Sequence, residues 1–196
     1  MSDTKAEILA AARDLFLERG LRALSMRAVA ERAGISAAAI YRHFPDKKTL
    51  LAAAVVEGFQ LFGQYLFRAL EGPTPAERLR RTGSLYLRFA FEHPRYYQVL
   101  FMAWDELGVL RLPRPPKGQL SPGLQFLVDR VSDCARAGLL PDGDDPFRLA
   151  ILLWGEVHGL ASLWLSGGGS EEMPREEYQA LCEAVLDRLL QGLLRP

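Results

Sequence analysis

Between residues 25 and 47 the chain carries Ser25, Arg27, Ser36, Tyr41, Arg42, His43 and Lys47, a set of hydroxyls, an imidazole and three cations. Such side chains donate hydrogen bonds and supply positive charge. Neither they nor the rest of the chain forms a Ser-His-Asp arrangement, a phosphate-binding glycine loop, a dinucleotide fingerprint or a zinc signature, so no enzymatic activity is expected. The set suits holding a partner rather than breaking a bond. The acidic cluster Asp142, Asp144 and Asp145 lacks the ligand spacing and terminal Glu of a calcium loop, and reads as a turn followed by an Asp145 N-cap. Three histidines and two cysteines lie at no recognisable metal spacing, so no metal and no cofactor is expected.

Two short helical patterns position these groups. Met26, Val29, Ala30 and Ala33 recur at helical spacing before Gly34, and Ile40 and Phe44 recur after it. Ser25 and Ser36 stand at the two N-cap positions, and Gly34 can take the positive φ that ends the first helix. The spacing predicts a helix-turn-helix, with helices over about 26–33 and 37–43, preceded by a supporting helix from Thr4 to Arg19. Because Ile40 and Phe44 fix the buried side of the second, Ala37, Ala38, Ala39, Tyr41 and Arg42 face outward, where a DNA major groove would meet them. Three alanines cannot make bidentate contacts to bases. Readout would fall to thymine methyl contacts, close backbone approach, Tyr41 or Arg42, with weight shifted to DNA shape and to Arg27.

The run Ile8, Leu9, Ala12, Phe16, Gly20, Ser25, Arg27, Ala30, Gly34, Ile35, Ser36, Ile40, Tyr41, His43, Phe44, Lys47 and Leu50 resembles the N-terminal signature of the TetR family of transcriptional regulators. Its tail, Ile40-Tyr41-x-His43-Phe44-x-x-Lys47-x-x-Leu50, is the most specific part. The resemblance implies that Ser25, Ser36, Tyr41, His43 and Lys47 contact phosphates of double-stranded DNA, with Arg27 near a phosphate or a base edge. The physics agrees: Lys47 sits in the first turn of a helix, and hydroxyls at helix starts can donate to the same backbone. Taken singly, Tyr41 could be a packing aromatic, His43 a surface imidazole and Lys47 a solvated charge.

Composition is consistent with this. The chain has zero formal net charge, yet residues 1–50 hold nine Lys or Arg against six Asp or Glu, and the remainder fifteen against eighteen. A mildly basic head on a mildly acidic body is expected, divided as residues 1–50 and 51–196. No run of eighteen apolar residues and no signal-peptide pattern is found, so a cytoplasmic protein without membrane contact is expected. Cys134 and Cys182 lie within apolar helical patterns and read as buried thiols.

The body reads as further helices, which makes the fold all-α with about nine in total. A long helix from Lys47 to about Leu70 belongs partly to both domains, and a second runs from Pro75 to Glu92. A helical stretch follows Pro94, then a proline-rich basic loop over 108–118, a helix over about 120–137, a very apolar one over about 147–166 and a last over about 176–193. Trp154, Gly155, His158 and Gly159 resemble the motif of a C-terminal domain in one TetR branch named for its Trp, His and Gly. Helical glycines there suggest close packing against a neighbouring helix. His158 reads as a buried histidine bonded to Glu156 or a backbone carbonyl, or as a ligand contact.

The last two helices are too apolar to face water on one side, so a homodimer is expected, with Trp164, Tyr178, Leu181, Val185 and Leu189 in the interface of a four-helix bundle. Two heads spaced near one turn of DNA, ~34–36 Å, suit a palindromic operator. Phe59, Phe62, Tyr86, Phe89, Phe101, Trp104, Phe126, Trp154 and His158 are candidate lining for an unidentified small-molecule effector, apolar or aromatic, although core packing demands many of the same residues. A ligand-responsive repressor follows as the expected function. An activator, or an architectural DNA-binding protein without a single operator, are the alternatives.

Overall fold

Ile8, Ala11, Ala12, Leu15 and Phe16 recur at intervals of three and four, and they form the buried side of helix α1, Thr4–Arg19. The computed structural model describes residues 4–20, 23–102, 118–168 and 173–195, and every regular element among them is helical. Gly20, at φ +78°, ends α1 and donates its N–H to the Phe16 carbonyl at 2.8 Å. Ser25 caps α2, Met26–Arg32, its hydroxyl oxygen accepting from Ala28 N at 3.2 Å. The helix ends where Gly34, at φ +67°, lets the Ile35 N–H turn back to the Ala30 carbonyl. Ser36 caps α3, Ala37–His43, in the same way through Ala39 N at 3.1 Å. Caps of this kind contribute about 1 kcal/mol each.

Asp46 accepts from Thr49 N at 2.7 Å and starts α4, Lys47–Phe67. The helix tightens into a 3₁₀ turn over Arg68–Glu71 rather than continuing as α-helix to Leu70, a common way to use up carbonyls near a helix end. Helix α5 spans Pro75–Glu92 and α6 spans Pro94–Tyr97, followed by a π-helical turn over Gln98–Met102. Then come α7, Pro122–Arg136, α8, Pro146–Leu165, and α9, Arg175–Leu193. Asp145 caps α8 through Phe147 N at 2.9 Å, as the turn reading expects. Most of the basic loop expected over 108–118 lies outside the described residues.

The described residues fall into two compact units, and the division lies inside α4, between Gln60 and Leu61. One unit holds the described residues up to Gln60 together with Arg95 to Met102. Its interior is built from Ile8, Phe16, Leu24, Val29, Ile40, Phe44, Leu50 and Val55, joined by Tyr96, Tyr97 and Leu100. The other holds Leu61 to Pro94 and the described residues from 118 onward. There α5 packs against α7, α8 and α9, burying Leu79, Tyr86, Leu87, Phe89 and Phe91. A Cβ on Gly83 would come within 2.8 Å of Leu186, so α5 and α9 meet at a glycine.

By length and a mean hydropathy of 1.4, Lys47–Glu71 passes as a membrane span, yet it buries Leu50, Leu51, Ala54, Val55, Phe62 and Leu66 against protein. Cys134 and Cys182 are free and buried, and burial pushes both thiols up to about 11, so both stay protonated at neutral pH.

Candidate nucleic-acid interface and ligand-site residues

Caps and core together leave one polar surface on the first unit. Ser25, Arg27, Ser36, Ala37, Ala38, Tyr41, Arg42, His43 and Lys47 are all exposed, and Tyr41 keeps 53% of its surface. Tyr41 is therefore not a packing aromatic. Ala39 is half-buried rather than outward, because Ile40 beside it sits wholly inside the head and turns that edge of α3 toward the core. Each capping hydroxyl accepts from the backbone and keeps its own hydrogen, which remains able to donate to a phosphate oxygen.

The cations of this unit divide into two kinds. Arg13 donates to Glu57 at 2.7 Å, and Arg32 makes a two-pronged pair with Glu18, one prong at 3.0 Å. Arg27, Arg42 and Lys47 form no ion pair among the described residues, and Lys48 meets a carboxylate only through the charge of neighbouring Asp46. Lys48, missed in the sequence, was signalled by its place beside Lys47 in the same first turn. One expected contribution is reduced: Asp46 occupies the start of α4 as its cap, and its carboxyl is held below the usual range by the Thr49 N–H. Attraction for an anion at that helix start then rests on the two ammonium groups more than on the helix end.

In the second unit the geometry brings together part of the aromatic set. Phe62 meets Tyr86 edge-on at 5.6 Å and Phe89 at 5.1 Å. The Tyr86 hydroxyl lies 2.9 Å from His158 Nδ1, and Trp154 Nε1 donates to the same hydroxyl at 3.3 Å. His158 is thus bonded to Tyr86, a partner on α5 that the sequence did not indicate. Burial lowers its pKa below the ordinary histidine value. Tyr86 thus links Trp154 and His158 through one hydroxyl.

Other candidate lining residues are placed elsewhere. Phe59 is 40% exposed and meets Phe101 at 6.4 Å, both in the first unit. Phe126 meets Phe67 at 5.8 Å and stacks under Arg130. Trp104 lies outside the described residues. The described residues contain no group of three or more His, Cys, Asp or Glu able to hold a metal ion.

Of the interface candidates, Tyr178 is 6% exposed, donates to the Leu160 carbonyl at 2.8 Å and stacks with Trp164 at 4.9 Å. Both side chains have partners inside this chain, Tyr178 as part of the buried stripe of α9 with Cys182, Leu186 and Leu190. Leu181 is exposed at 42%, and Val185 and Leu189 are half-buried beside it. Among the described residues Gly155 and Gly159 do not pack against a neighbouring helix, because a Cβ on either would meet nothing within 4 Å.

An all-helical chain with an N-terminal helix-turn-helix and a helical C-terminal part defines the class of DNA-binding regulators to which the comparisons point. Residues 8–54 match bacterial regulatory proteins of the tetR family, and residues 79–189 match a tetracyclin repressor-like C-terminal domain; the chain belongs to the TetR family. It is 42% identical over 66 residues to the HTH-type transcriptional repressor KstR2 of Rhodococcus jostii (strain RHA1), covering 33% of this chain and 32% of that one. A solved TetR-family transcriptional regulator from Pectobacterium atrosepticum is 29% identical, with a TM-score of 0.70 over 99% of this chain and 95% of that one. A protein of unknown function from Rhodococcus sp. RHA1 gives 25% identity and a TM-score of 0.77 over 100% and 97%. Across the first curated relatives the chain spans between 32% and 52% of their length.

Proposed function

We propose that this protein is a homodimeric, ligand-responsive transcriptional repressor, released from a palindromic operator by a small apolar or aromatic ligand. The observation that carries the reading is the sorting of charge on the first unit, where Arg27, Arg42 and Lys47 stay exposed without an ion pair among the described residues, beside exposed Lys48 and two capping serines. Residues 1–50 are the reading head. Ser25, Ser36, Tyr41, His43 and Lys47 hold phosphates, Ala37 and Ala38 approach the base edges, and Arg42 and Arg27 supply hydrogen-bond readout. Residues 51–196 bind the ligand and dimerise, in a cytoplasmic protein without membrane contact. The similarity to KstR2, named a repressor, supports repression over activation.

For the ligand site we take Phe62, Tyr86, Phe89, Trp154 and His158, all in the second unit. Trp154, His158 and Gly159 also support placing the protein in the Trp-His-Gly branch of the family. For the dimer, the supporting feature is an apolar face on α8, with Ile151, Leu152 and Leu163 exposed around Gly155 and Gly159, continued on α9 by Leu181, Val185 and Leu189. A second copy laid on that face would fill the space at the two glycines and bury the leucines.

The exposed alanines of α3 favour one other reading, an architectural protein that binds DNA without a single operator. A footprint across DNA flanking the protein's own gene separates the two. Protection of one palindrome supports the repressor; uniform protection at all positions supports the architectural protein and ends the proposal.

A further inference from the structure

The first unit contains a segment that the sequence assigns to the body. Arg95 to Met102 follows α5, yet it belongs to the compact unit built around α1–α3. Tyr96, 5% exposed, lies edge-on to Phe16 of α1 at 5.6 Å. On α4 it fills the notch at Gly58: a Cβ there would be 2.8 Å from Tyr96 Cδ1 and 3.4 Å from Leu100 Cδ2. A glycine inside a helix costs about 1 kcal/mol relative to alanine, and here the ring occupies the space the methyl would need. Two further contacts border the same site. Arg95 Nη1 lies 2.9 Å from where a Cβ of Gly20 would stand, at the end of α1, and Arg13 of α1 pairs with Glu57, the residue before Gly58, at 2.7 Å. The segment continues as a π-helical turn, Gln98–Met102, a feature found often at functional sites.

We infer that Tyr96 is a positioning residue for DNA recognition: its ring, wedged between Phe16 and Gly58, holds α1 and α4 in the arrangement that aims the α3 surface. The inference rests on the proposed dimeric reading of a palindrome. The chain passes between the units inside α4 and again at Pro94–Arg95, so the head is tethered at both points. The first tether is a continuous helix; the second is seated by the wedge. Removing the ring leaves every phosphate-contacting side chain in place and loosens the seat. Filling the notch displaces the ring while keeping it. Both changes act on the aim of the head rather than on what it touches.

The test uses the full chain and duplexes carrying two copies of a half-site recovered by the wild-type protein from a random duplex pool, set at graded spacings. The wild type is expected to prefer one spacing. Tyr96→Ala is expected to reduce its preference for that spacing by about two- to thirty-fold, with the salt slope unchanged because the same phosphates are contacted. Gly58→Ala, which fills the notch, should shift or flatten the profile. An unaltered spacing profile in both Tyr96→Ala and Gly58→Ala overturns the inference. So does equal weakening at every spacing with a lowered melting temperature, the behaviour of an ordinary core residue. A wild type with no preferred spacing sinks the dimeric reading itself, a result visible before any variant is made.

Discussion

The two compact units treat their arginines differently. In the second, Arg80 pairs with Asp187 at 2.6 Å, Arg81 with Glu77 at 3.0 Å, Arg88 with Glu92 at 2.7 Å and Arg130 with Asp133 at 2.9 Å. In the first, Arg13 and Arg32 are paired across helices, whereas Arg27, Arg42, Lys47 and Lys48 are left to solvent on the side that carries the two capping serines. The counts of positive and negative residues differ little between head and body. Exposed arginines without an ion pair among the described residues also occur in the second unit, at Arg68 and Arg188; in the first the exposed cations gather beside the two capping serines, where they would gain by meeting a phosphate. Polar chemistry in the second unit is instead gathered inside, in the Trp154, Tyr86 and His158 chain of hydrogen bonds.

That contrast can be broken most severely at a buried side chain of the head. Phe44→Ala should cost about 3–5 kcal/mol and abolish DNA retention, while the near-ultraviolet signal of Trp154 and Trp164 persists. If the tryptophan signal is lost together with DNA binding, the two regions are not separately stabilised. Arg42→Ala should alter preference among bases by about 1–3 kcal/mol, measured by competition between operator variants; uniform weakening instead would make Arg42 a phosphate contact. Lys47→Ala should weaken all sequences alike and reduce the salt slope by about 1. An unchanged slope removes Lys47 from the phosphate set.

Smaller effects sharpen the other side of the comparison. Burial lowers the pKa of His158, so above the ordinary histidine value of ~6.5 the ring is neutral in both folded and unfolded chains. As pH falls below that value the unfolded chain takes up the proton first, and stability is lost with acidification. His158→Gln cannot titrate and should show a shallower fall in melting temperature over that range. Arg88→Ala, which removes an exposed pair in the second unit, should change stability by no more than about 1 kcal/mol and leave the salt slope of DNA binding untouched.

Much of the head is legible from residue type and spacing. Ser25, Gly34, Ser36 and the Pro45-Asp46 break mark the starts and stops of α2, α3 and α4 because caps and positive φ are local properties, settled within one turn of chain. The 3.6-residue period identifies Ile8, Phe16, Val29 and Ile40 as core. Harder to foresee were the roles that depend on a distant partner. Tyr178 and Leu181 sit on the same apolar helix, three residues apart, yet one is buried in the chain and the other exposed. Periodicity shows a stripe; it does not say which edge of a wide stripe meets which neighbour.

The sequence alone therefore determined most of the helices, their caps and which side chains of α2 and α3 stay exposed, since each of these is written in short-range spacing. Tertiary structure decided the rest: that Tyr86 is the partner of His158, and that Tyr96 reaches back to Phe16 and Gly58 from beyond α5. Those pairings join residues dozens of positions apart. No local rule ranks such choices, because they are made by packing, where the shape of each cavity admits one side chain and excludes another.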